Sequence, residues 1–324
     1  MLLTEWSGGY MNLTENEIIT QQLECFGQVE TGKQLKDMTT FRIGGSVSFV
    51  SYPRNMFALS RLIDFLIEND VPYKIIGKGS NLICSDDAYS GVIIRLDRTM
   101  NHWYLNDQKL IAEAGASIIA LSVFAAKNGL SGLEWASGIP ATVGGCVFNN
   151  AGAYNFSMSD SVLRVLILDQ GEFRWLSAEQ CGFSYRSSVF HSNPQWIILA
   201  IEFALTKKDE QEIWAVMDQR KQRRMESQPL DFPSAGSIFR NPSSESAWSL
   251  IEQSGLRGLS IGGAQVSAKH CNFIINVQDA RAQDVRDLID LVIRKVEEKT
   301  KVRLQTEVEM FNWNHTKIRH QSKR

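Results

Sequence analysis

Residues 133–155, LEWASGIPATVGGCVFNNAGAYN, form the stretch around which the rest of the chain is organised. They combine Gly138, Gly144, Gly145 and Gly152 with small polar residues, yet the stretch carries almost no charge. Surface loops are usually charged, whereas small residues let the backbone come close to a flat or anionic group. Two interpretations therefore stay open: a loop that binds a cofactor, or a tight glycine-rich crossover inside a core.

Length and composition limit the classes of protein that fit this sequence. A chain of 324 residues can bury a substantial core and is expected to hold two or three domains. A formal net charge of -2 argues against a nucleic-acid partner bound through counterion release. The five cysteines are scattered without a CxxC pair, which indicates reduced thiols instead of disulfides or a zinc site. The five histidines offer no metal spacing either, so no metal is predicted.

The N-terminal sequence and the hydropathy of the chain indicate a cytoplasmic protein. Glu5 lies in a segment with neither a basic leader nor an apolar h-region, so no signal peptide or anchor is predicted. No apolar run reaches the length that a membrane span requires. We therefore expect no membrane partner.

Apolar periodicity on both sides of the glycine-rich stretch predicts a mixture of helices and strands. Helices are expected at residues 17–26, 55–69, 117–128, 211–226, 247–253 and 283–299. Strands are expected at residues 47–51, 73–76, 91–96, 162–168, 173–176, 196–205, 261–266 and 272–276. Another is expected to begin at residues 110–112, and a last strand is expected at residues 302–310. In that last strand, the alternation of apolar and polar residues puts Glu307 on the polar face.

Residues 77–81, Gly-Lys-Gly-Ser-Asn, follow a predicted strand and form a second glycine-rich loop. The dinucleotide fingerprint is excluded because Leu82 occupies the position of its third glycine, and the Gly-Lys-Ser/Thr of the Walker pattern is missing. Two interpretations stay open. One is an anion-binding concavity of backbone N–H groups with Ser80 and Asn81 as additional donors, and the other is a plain hairpin turn.

Three polar features lie downstream of the glycine-rich stretch. Arg186 is held between apolar and small polar residues, and most such arginines form surface ion pairs. The helix at residues 211–226 ends in a strongly basic turn, residues 220–224, which suits the helix dipole and is interpreted as a solvated face. Residues 228–242 contain three prolines and are predicted to form a rigid, irregular loop that presents Ser237.

Six blocks of sequence, taken in order, resemble one family of enzymes. They are TTFRIGG at residues 39–45, IGKGSNL at 76–82, SGIPATVGG at 137–145 with NAGAY at 150–154, YRSS at 185–188, AGSIFRNP at 235–242 and GGAQV at 262–266. The chain resembles the UDP-N-acetylenolpyruvoylglucosamine reductases, flavoenzymes of bacterial peptidoglycan precursor synthesis. It is similar to the shorter of two family variants, because residues 186–237 leave no room for the additional tyrosine-bearing loop of the longer one.

The resemblance implies an α+β fold, with a two-part FAD-binding domain of the FAD-linked oxidase (PCMH/VAO) type followed by a C-terminal α+β substrate domain. It divides the chain into residues 1–35 (N-terminal arm and helix), 36–97 and 98–225 (the two FAD-binding subdomains) and 226–324 (the substrate-binding domain). No histidine lies in the loops assigned to FAD, so the FAD is expected to be noncovalent. NADPH is the implied reductant, and we expect a monomer.

The implied reaction reduces the enolpyruvyl ether of UDP-N-acetylglucosamine enolpyruvate to UDP-N-acetylmuramate. Hydride passes from the flavin N5 to C3, negative charge develops at C2 and its carboxylate, and C2 is then protonated. Arg186 suits the stabilisation of the carboxylate, because its planar fork matches two oxygens. By resemblance, Ser237 donates the proton and Glu307, in its protonated form, assists at the carboxylate.

The resemblance also assigns the contacts to the cofactor and the substrate. The FAD pyrophosphate is expected at Gly77, Gly79, Ser80 and Asn81, and the rest of the cofactor at Gly138, Ile139, Thr142, Gly144 and Gly145. Substrate contacts are expected from Tyr185, Asn241 and Gln265.

Three positions depart from the pattern of the family. Arg240 stands where lysine is common, Asn149 where methionine is common and Asn155 where glycine is common. Two alternatives also remain. The chain could be another FAD-dependent oxidase or dehydrogenase of the same superfamily, for which Ser237 would be dispensable, or a noncatalytic protein that binds flavin or a UDP-sugar. The presence of all three expected catalytic residues argues against the noncatalytic alternative.

Overall fold

The computed structural model describes residues 13–106 and 109–313, which divide into two compact units. Within these residues, the first unit comprises the chain up to residue 33 together with residues 47–80 and 90–230. The second unit comprises residues 34–46 and 81–89 and the chain from residue 231 onward. The functional division into four parts given above stays a prediction.

The described residues form seven α-helices. They are α1 Leu13–Glu24, α2 Met56–Glu68, α3 Ile118–Lys127, α4 Val143–Phe148, α5 Glu210–Ser227, α6 Ala247–Gln253 and α7 Ala282–Thr300. Short 3₁₀ helices span Leu35–Asp37, Glu134–Ala136, Met158–Asp160 and Val189–His191. All six predicted helices are confirmed with small shifts at their ends. The helix α4 lies inside the glycine-rich stretch, for which the sequence predicts no helix.

The strands of the described residues are more numerous than the sequence predicts. They are β1 Gly27–Glu30, β2 Lys33–Gln34, β3 Ser46–Pro53, β4 Tyr73–Ile76, β5 Leu82–Cys84, β6 Tyr89–Arg95, β7 Trp103–Asn106, β8 Lys109–Glu113, β9 Leu130–Ser131, β10 Gly152–Ala153, β11 Phe156–Ser157, β12 Val162–Asp169, β13 Glu172–Ser177, β14 Ile197–Ala204, β15 Thr206–Lys207, β16 Ser234–Ser237, β17 Ser260–Ile261, β18 Ala264–Val266, β19 Phe273–Asn276 and β20 Glu309–Phe311. The prediction of one strand over residues 302–310 is wrong: within it, only a bridge at Thr306 and the start of β20 pair with other strands.

The first unit is built on two main sheets. One has the order β1-β3-β6-β4, with β2 beside β3, and the other has the order β13-β12-β14-β8-β7. Helix α2 begins where Asn55 accepts a hydrogen bond from the Ala58 backbone at 2.9 Å, and its Leu59 and Leu62 are fully buried. The core of this unit also includes Val143 of α4, so the glycine-rich stretch is anchored by apolar packing.

The second unit combines a small sheet with two helices. The sheet has the order β16-β19-β18-β17, and β20 pairs in parallel with β5. Helix α7 buries Val285, Leu288, Ile289 and Val292 along one stripe, as its apolar periodicity predicts. Within the described part of the chain, no helix combines the length and the apolar character needed to cross a bilayer.

Candidate active site

The glycine loop after β4 lies directly against the start of α4. A Cβ placed on Gly77 would be 2.4 Å from Thr142 Oγ1, and Thr142 is only 3% exposed. Gly79 has a φ of 61°, a left-handed conformation that glycine adopts without strain. Among the described residues, the backbone N–H groups of Gly79 and Ser80 have no protein acceptor. These open donors favour the anion-binding interpretation of the loop over a plain hairpin turn.

The lysine in the middle of this loop is held by a carboxylate. Lys78 Nζ lies 3.1 Å from Asp97 Oδ2, and Arg95 binds the same carboxylate through Nη2 at 2.6 Å and Nε at 3.0 Å. Burial opposes the ionisation of Asp97, but the hydrogen bonds from Arg95 and Lys78 outweigh burial and hold its pKa below the usual range. Asp97 therefore stays charged at neutral pH and restrains the loop.

At helix α4 the glycine-rich stretch forms the tight crossover that one of its two interpretations predicts. Thr142 caps the helix by accepting a hydrogen bond from the Gly145 backbone at 3.3 Å. The Gly144 backbone donates to the Ala114 carbonyl at 2.8 Å, and a Cβ on Gly144 would lie 2.8 Å from the Ala114 side chain. Gly144 is thus required by a tight crossover, and the N–H groups of both glycines are already used inside the protein.

The first half of the same stretch lies against helix α5. A Cβ on Gly138 would be 2.7 Å from both Cδ and Nε of Arg224. A residue with a side chain at this position would therefore require Arg224 to shift away from the backbone. Ile139 is half-buried and packs against the core of the first unit.

A basic cavity in the first unit is the main feature that sequence reasoning missed. Its volume is about 360 Å³, and it is lined by Ala153, Tyr154, Asn155, Arg223, Arg224, Ser227 and Gln228. The Tyr154 hydroxyl donates to the Arg220 carbonyl at 3.0 Å, and the Arg220 guanidinium lies over the Tyr154 ring, 5.1 Å from its centroid. The cavity is therefore formed where the last turns of α5 meet residues 153–155.

Arg224 contributes a half-buried positive charge to the lining of this cavity. Burial lowers the pKa of its guanidinium, although an arginine keeps its charge at neutral pH. Within residues 13–106 and 109–313, no carboxylate forms an ion pair with Arg224. A half-buried cation without a carboxylate partner favours an anionic ligand. The interpretation of residues 220–224 as a purely solvated face is wrong for Arg224, and only its burial against Gly138 could reveal this.

Tyr185 and Arg186 occupy the tip of a tight turn in the first unit. Ser184 and Ser187 exchange two backbone hydrogen bonds, of 3.0 and 3.1 Å, across this turn. Arg186 has a φ of 53°, and its Nη2 donates to the Gly152 carbonyl at 2.9 Å. Its guanidinium lies over the Tyr185 ring, 5.3 Å from the centroid, and Tyr185 is 53% exposed. The arginine expected at the substrate carboxylate is thus restrained on a defined turn.

In the second unit, Ser237 lies at the end of a bulged strand. Ser234 and Ser237 pair with Ile275 and Phe273, so that β16 holds one residue more than β19 between the two pairs. The bulge includes Gly236 with a φ of 76°. Bulges redirect side chains and are frequent beside active sites. The predicted irregular loop around Ser237 is therefore wrong for residues 234–237, which form a strand.

Glu307 is joined to the chain next to Ser237. The Glu307 backbone donates to the Ile238 carbonyl at 2.7 Å, and Phe239 bridges to Thr306. Asn81 Nδ2 donates to the Glu307 carbonyl at 3.3 Å. The second unit thus sets the backbone of the expected acid against the residue that follows the expected proton donor. It also places Asn81, expected at the FAD pyrophosphate, beside the Glu307 backbone.

Two residues expected to contact substrate have local structural roles. Asn241 Oδ1 accepts a hydrogen bond from the Ala247 backbone at 3.0 Å, at the first residue of α6. Gln265 Nε2 donates to Ser260 Oγ at 3.0 Å within the β17–β18 hairpin. These hydrogen bonds explain both residue types without a ligand, and the substrate contacts stay predictions.

The cysteine of the glycine-rich stretch, Cys146, is fully buried. Burial raises the pKa of Cys146 in α4 to about 12, so this thiol is protonated at neutral pH and serves as a core residue.

In the part of the chain that the structure describes, no group of three or more His, Cys, Asp or Glu side chains could hold a metal ion.

Comparison with known proteins connects these two units to characterised families. Residues 47–177 match the FAD binding domain, and residues 228–311 match the C-terminal domain of UDP-N-acetylenolpyruvoylglucosamine reductase. A reductase of that name from Anoxybacillus flavithermus is 41% identical over 285 residues, which cover 88% of this chain and 94% of the relative. One from Carboxydothermus hydrogenoformans is 43% identical over 278 residues, which cover 86% of this chain and 92% of the relative.

A solved structure gives the same result for the fold. The crystal structure of UDP-N-acetylenolpyruvylglucosamine reductase from Thermus caldophilus has a TM-score of 0.76 and 36% identity, and the match covers 88% of this chain and 99% of that one. An FAD binding domain followed by a reductase C-terminal domain defines an FAD-dependent oxidoreductase. More specifically, the chain belongs to the UDP-N-acetylenolpyruvoylglucosamine reductase family. The resemblance inferred from the six sequence blocks, the fold class and the FAD cofactor are thereby confirmed.

Proposed function

We propose that this chain catalyses the NADPH-dependent reduction of the enolpyruvyl ether of UDP-N-acetylglucosamine enolpyruvate to UDP-N-acetylmuramate. One observation supports this assignment of the reaction. The Glu307 backbone donates a hydrogen bond of 2.7 Å to the Ile238 carbonyl, which sets a carboxyl-bearing residue beside the residue that follows Ser237. The names of relatives that are 41% and 43% identical to the chain support the same substrate.

The two glycine-rich loops of the first unit suit the binding of FAD. The open N–H groups of Gly79 and Ser80 fit an anionic pyrophosphate, which supports its assignment to Gly77, Gly79, Ser80 and Asn81. The rest of the cofactor is assigned to Gly138, Ile139, Thr142, Gly144 and Gly145. When bound at these residues, FAD would supply the hydride chemistry that connects NADPH with C3 of the substrate. No histidine lies in these loops, which is consistent with noncovalent binding.

Three side chains are assigned to the reaction. The Arg186 guanidinium stabilises the charge that develops on the substrate carboxylate, and one such donor contributes about 3 kcal/mol. The Ser237 hydroxyl gives its proton to C2, a step typically worth about 10²- to 10⁴-fold in rate. A serine hydroxyl is a weak acid, so we assign to Glu307, in its protonated form, the assisting role at the carboxylate.

The basic cavity suits the diphosphate of the nucleotide sugar. Arg223 and Arg224 supply two positive charges, and Tyr154 forms one wall beside them. A diphosphate bound there would pair with a half-buried guanidinium that lacks a carboxylate partner among the described residues. Further contacts to the substrate are assigned to Tyr185, Asn241 and Gln265.

The proposed reaction implies a cellular role for the enzyme. The reaction belongs to the synthesis of peptidoglycan precursors, and through it to cell wall biogenesis, cell shape, the cell cycle and division. The substrate and NADPH are soluble molecules, and we propose that the enzyme works in the cytoplasm as a monomer, without a nucleic-acid or membrane partner.

A visible spectrum taken anaerobically tests this function. The holoenzyme is mixed with NADPH and then with the UDP-linked enolpyruvyl sugar. The flavin band is expected to bleach with NADPH and to return with substrate. A band that bleaches but does not return supports another FAD-dependent oxidase or dehydrogenase instead, and a band that never bleaches supports a noncatalytic binding protein.

A further inference from the structure

The turn that carries Arg186 needs an external restraint. Arg186 adopts a left-handed φ of 53°, which costs energy for a residue with a side chain. Two backbone hydrogen bonds between Ser184 and Ser187 close the turn itself. Ser188, just after the turn, donates its hydroxyl to the Phe148 carbonyl at 2.5 Å and so fixes one side. The other side must be fixed from elsewhere.

Asn150 supplies that second restraint. Its side chain is buried, with 5% exposure, and its Nδ2 donates to the Ser184 carbonyl at 2.9 Å. Its Oδ1 accepts a hydrogen bond from the Ser159 backbone at 3.1 Å. One amide therefore joins the turn to the 3₁₀ helix Met158–Asp160. The position requires both a donor and an acceptor, a combination that asparagine provides and aspartate or leucine does not.

The backbone of Asn150 also fits this position. Its φ of 42° lies in the left-handed region, where asparagine is among the few residues found regularly. The chain continues from Asn150 to Gly152, whose carbonyl accepts the hydrogen bond from Arg186 Nη2. The same short segment thus holds the turn through the Asn150 amide and the guanidinium through the Gly152 carbonyl.

We propose that Asn150 is a positioning residue for Arg186. By fixing the Ser184 carbonyl, it holds the turn in the one conformation that sets the guanidinium at the substrate carboxylate. This proposal rests on the function proposed above. A displacement of a catalytic group by about 1 Å can cost about 100-fold in rate, so loss of the restraint is expected to act on the step that uses Arg186.

Asn150→Gly removes the amide while it keeps the left-handed backbone free of strain. In rapid-mixing experiments on the holoenzyme, this change is expected to slow reoxidation of the flavin by substrate by about 10- to 100-fold. Reduction by NADPH is expected to change by less than about twofold. Asn150→Asp is expected to be at least as slow, because its carboxylate oxygen would face the Ser184 carbonyl. Equal slowing of both half-reactions by Asn150→Gly would overturn the proposal.

A matched control and a double-mutant cycle separate positioning from general damage. Asn193 makes the same kind of bond, from its Nδ2 to the Val189 carbonyl at 2.9 Å, but does not touch the turn. Asn193→Ala is expected to leave reoxidation within about twofold of the wild-type rate. In an Arg186→Ala background, Asn150→Gly is expected to cost less than about twofold, since it acts through the missing side chain. An unchanged cost in that background would also overturn the proposal.

Hydrogen exchange of the apoprotein tests the restraint without any turnover. Asn150→Gly is expected to speed exchange of the Ser184 and Ser187 amides, whereas Asn193→Ala is not. Unchanged exchange at these two amides would refute the positioning role, whatever the substrate is. Failure of the wild-type flavin to be reoxidised by the enolpyruvyl sugar would instead refute the proposed function, so the two failures are distinguishable.

Discussion

The close approach of Gly77 to Thr142 makes Gly77→Ala the most informative single substitution in the loops that we propose to bind FAD. The new Cβ would lie 2.4 Å from Thr142 Oγ1 and 3.2 Å from its Cγ2, well inside van der Waals contact. Thr142 is buried and caps α4, so it cannot move without disturbing the helix. Gly77 does not have a positive φ, so backbone strain is not part of the expected effect.

The size of the effect follows from two terms. Overpacking a buried site costs about 1–3 kcal/mol, and loss of the Thr142 cap from a short helix costs about 1 kcal/mol. The free energy of unfolding should therefore fall by about 2–4 kcal/mol. If the loop proposed to bind FAD loses about 2 kcal/mol of binding free energy in the same way, the dissociation constant of FAD rises about 30-fold.

A double-mutant cycle tests whether this contact is the cause. Thr142→Ala removes the two nearest of the three atoms that the new methyl group would meet, and it leaves Cβ at 3.4 Å, an ordinary van der Waals distance. We expect Gly77→Ala to cost less than about 1 kcal/mol in the Thr142→Ala background, against about 2–4 kcal/mol in the wild type. The measurements are FAD titration of the apoprotein by flavin fluorescence and denaturant unfolding of both backgrounds. The same penalty in both backgrounds, or an unchanged affinity for FAD, would show that the reasoning is wrong.

Three further predictions concern the two units separately. Ser237→Ala should leave flavin reduction by NADPH nearly unchanged and slow reoxidation by substrate about 10²- to 10⁴-fold in stopped-flow measurements, and equal damage to both steps would contradict its role as proton donor. Gly79→Val should lose FAD on purification, because valine is strained at a φ of 61°, and full flavin occupancy would remove the phosphate-loop assignment. Arg224→Gln should raise KM for the UDP-linked substrate by about tenfold or more with little change in FAD content. Lys221→Gln, on the exposed face of α5, is the control and should leave KM nearly unchanged. Equal effects of the two substitutions on KM would exclude a specific role for the cavity.

The elements that the sequence predicts well are those with local signals. Helix α7 follows from an apolar stripe that the chain repeats every three or four residues, and α2 follows from a similar stripe and the Asn55 cap. Helix α4 carries no such signal, because two glycines in six residues lower its helix propensity. It forms because Thr142 caps it, which is a local contact, and because Gly144 packs on Ala114, which depends on the fold of the first unit.

The residues of the candidate site are named from resemblance and stay predictions, whereas their geometry could not be derived from the sequence. The alternation over residues 302–310 indicates which side chains share a face, yet it says nothing about the strand that pairs with them. The structure pairs Thr306 with Phe239 and sets Glu307 beside Ile238, across almost seventy positions of sequence. Likewise, the sequence shows the charge of residues 220–224 but not the burial of Arg224, which depends on the absence of a side chain at Gly138.

At Asn155, where glycine is common in the family, the conformation of the backbone and the contacts to a ligand impose different requirements on the residue. Asn155 has a φ of 64°, the conformation for which glycine is the usual residue and asparagine the most tolerated substitute. The preceding Tyr154 also has a positive φ, of 58°, so the chain turns sharply at this wall of the cavity. The substitution therefore preserves the path of the backbone and adds an amide to the cavity lining. A difference in ligand contacts, rather than in folding, is the consequence expected from this residue.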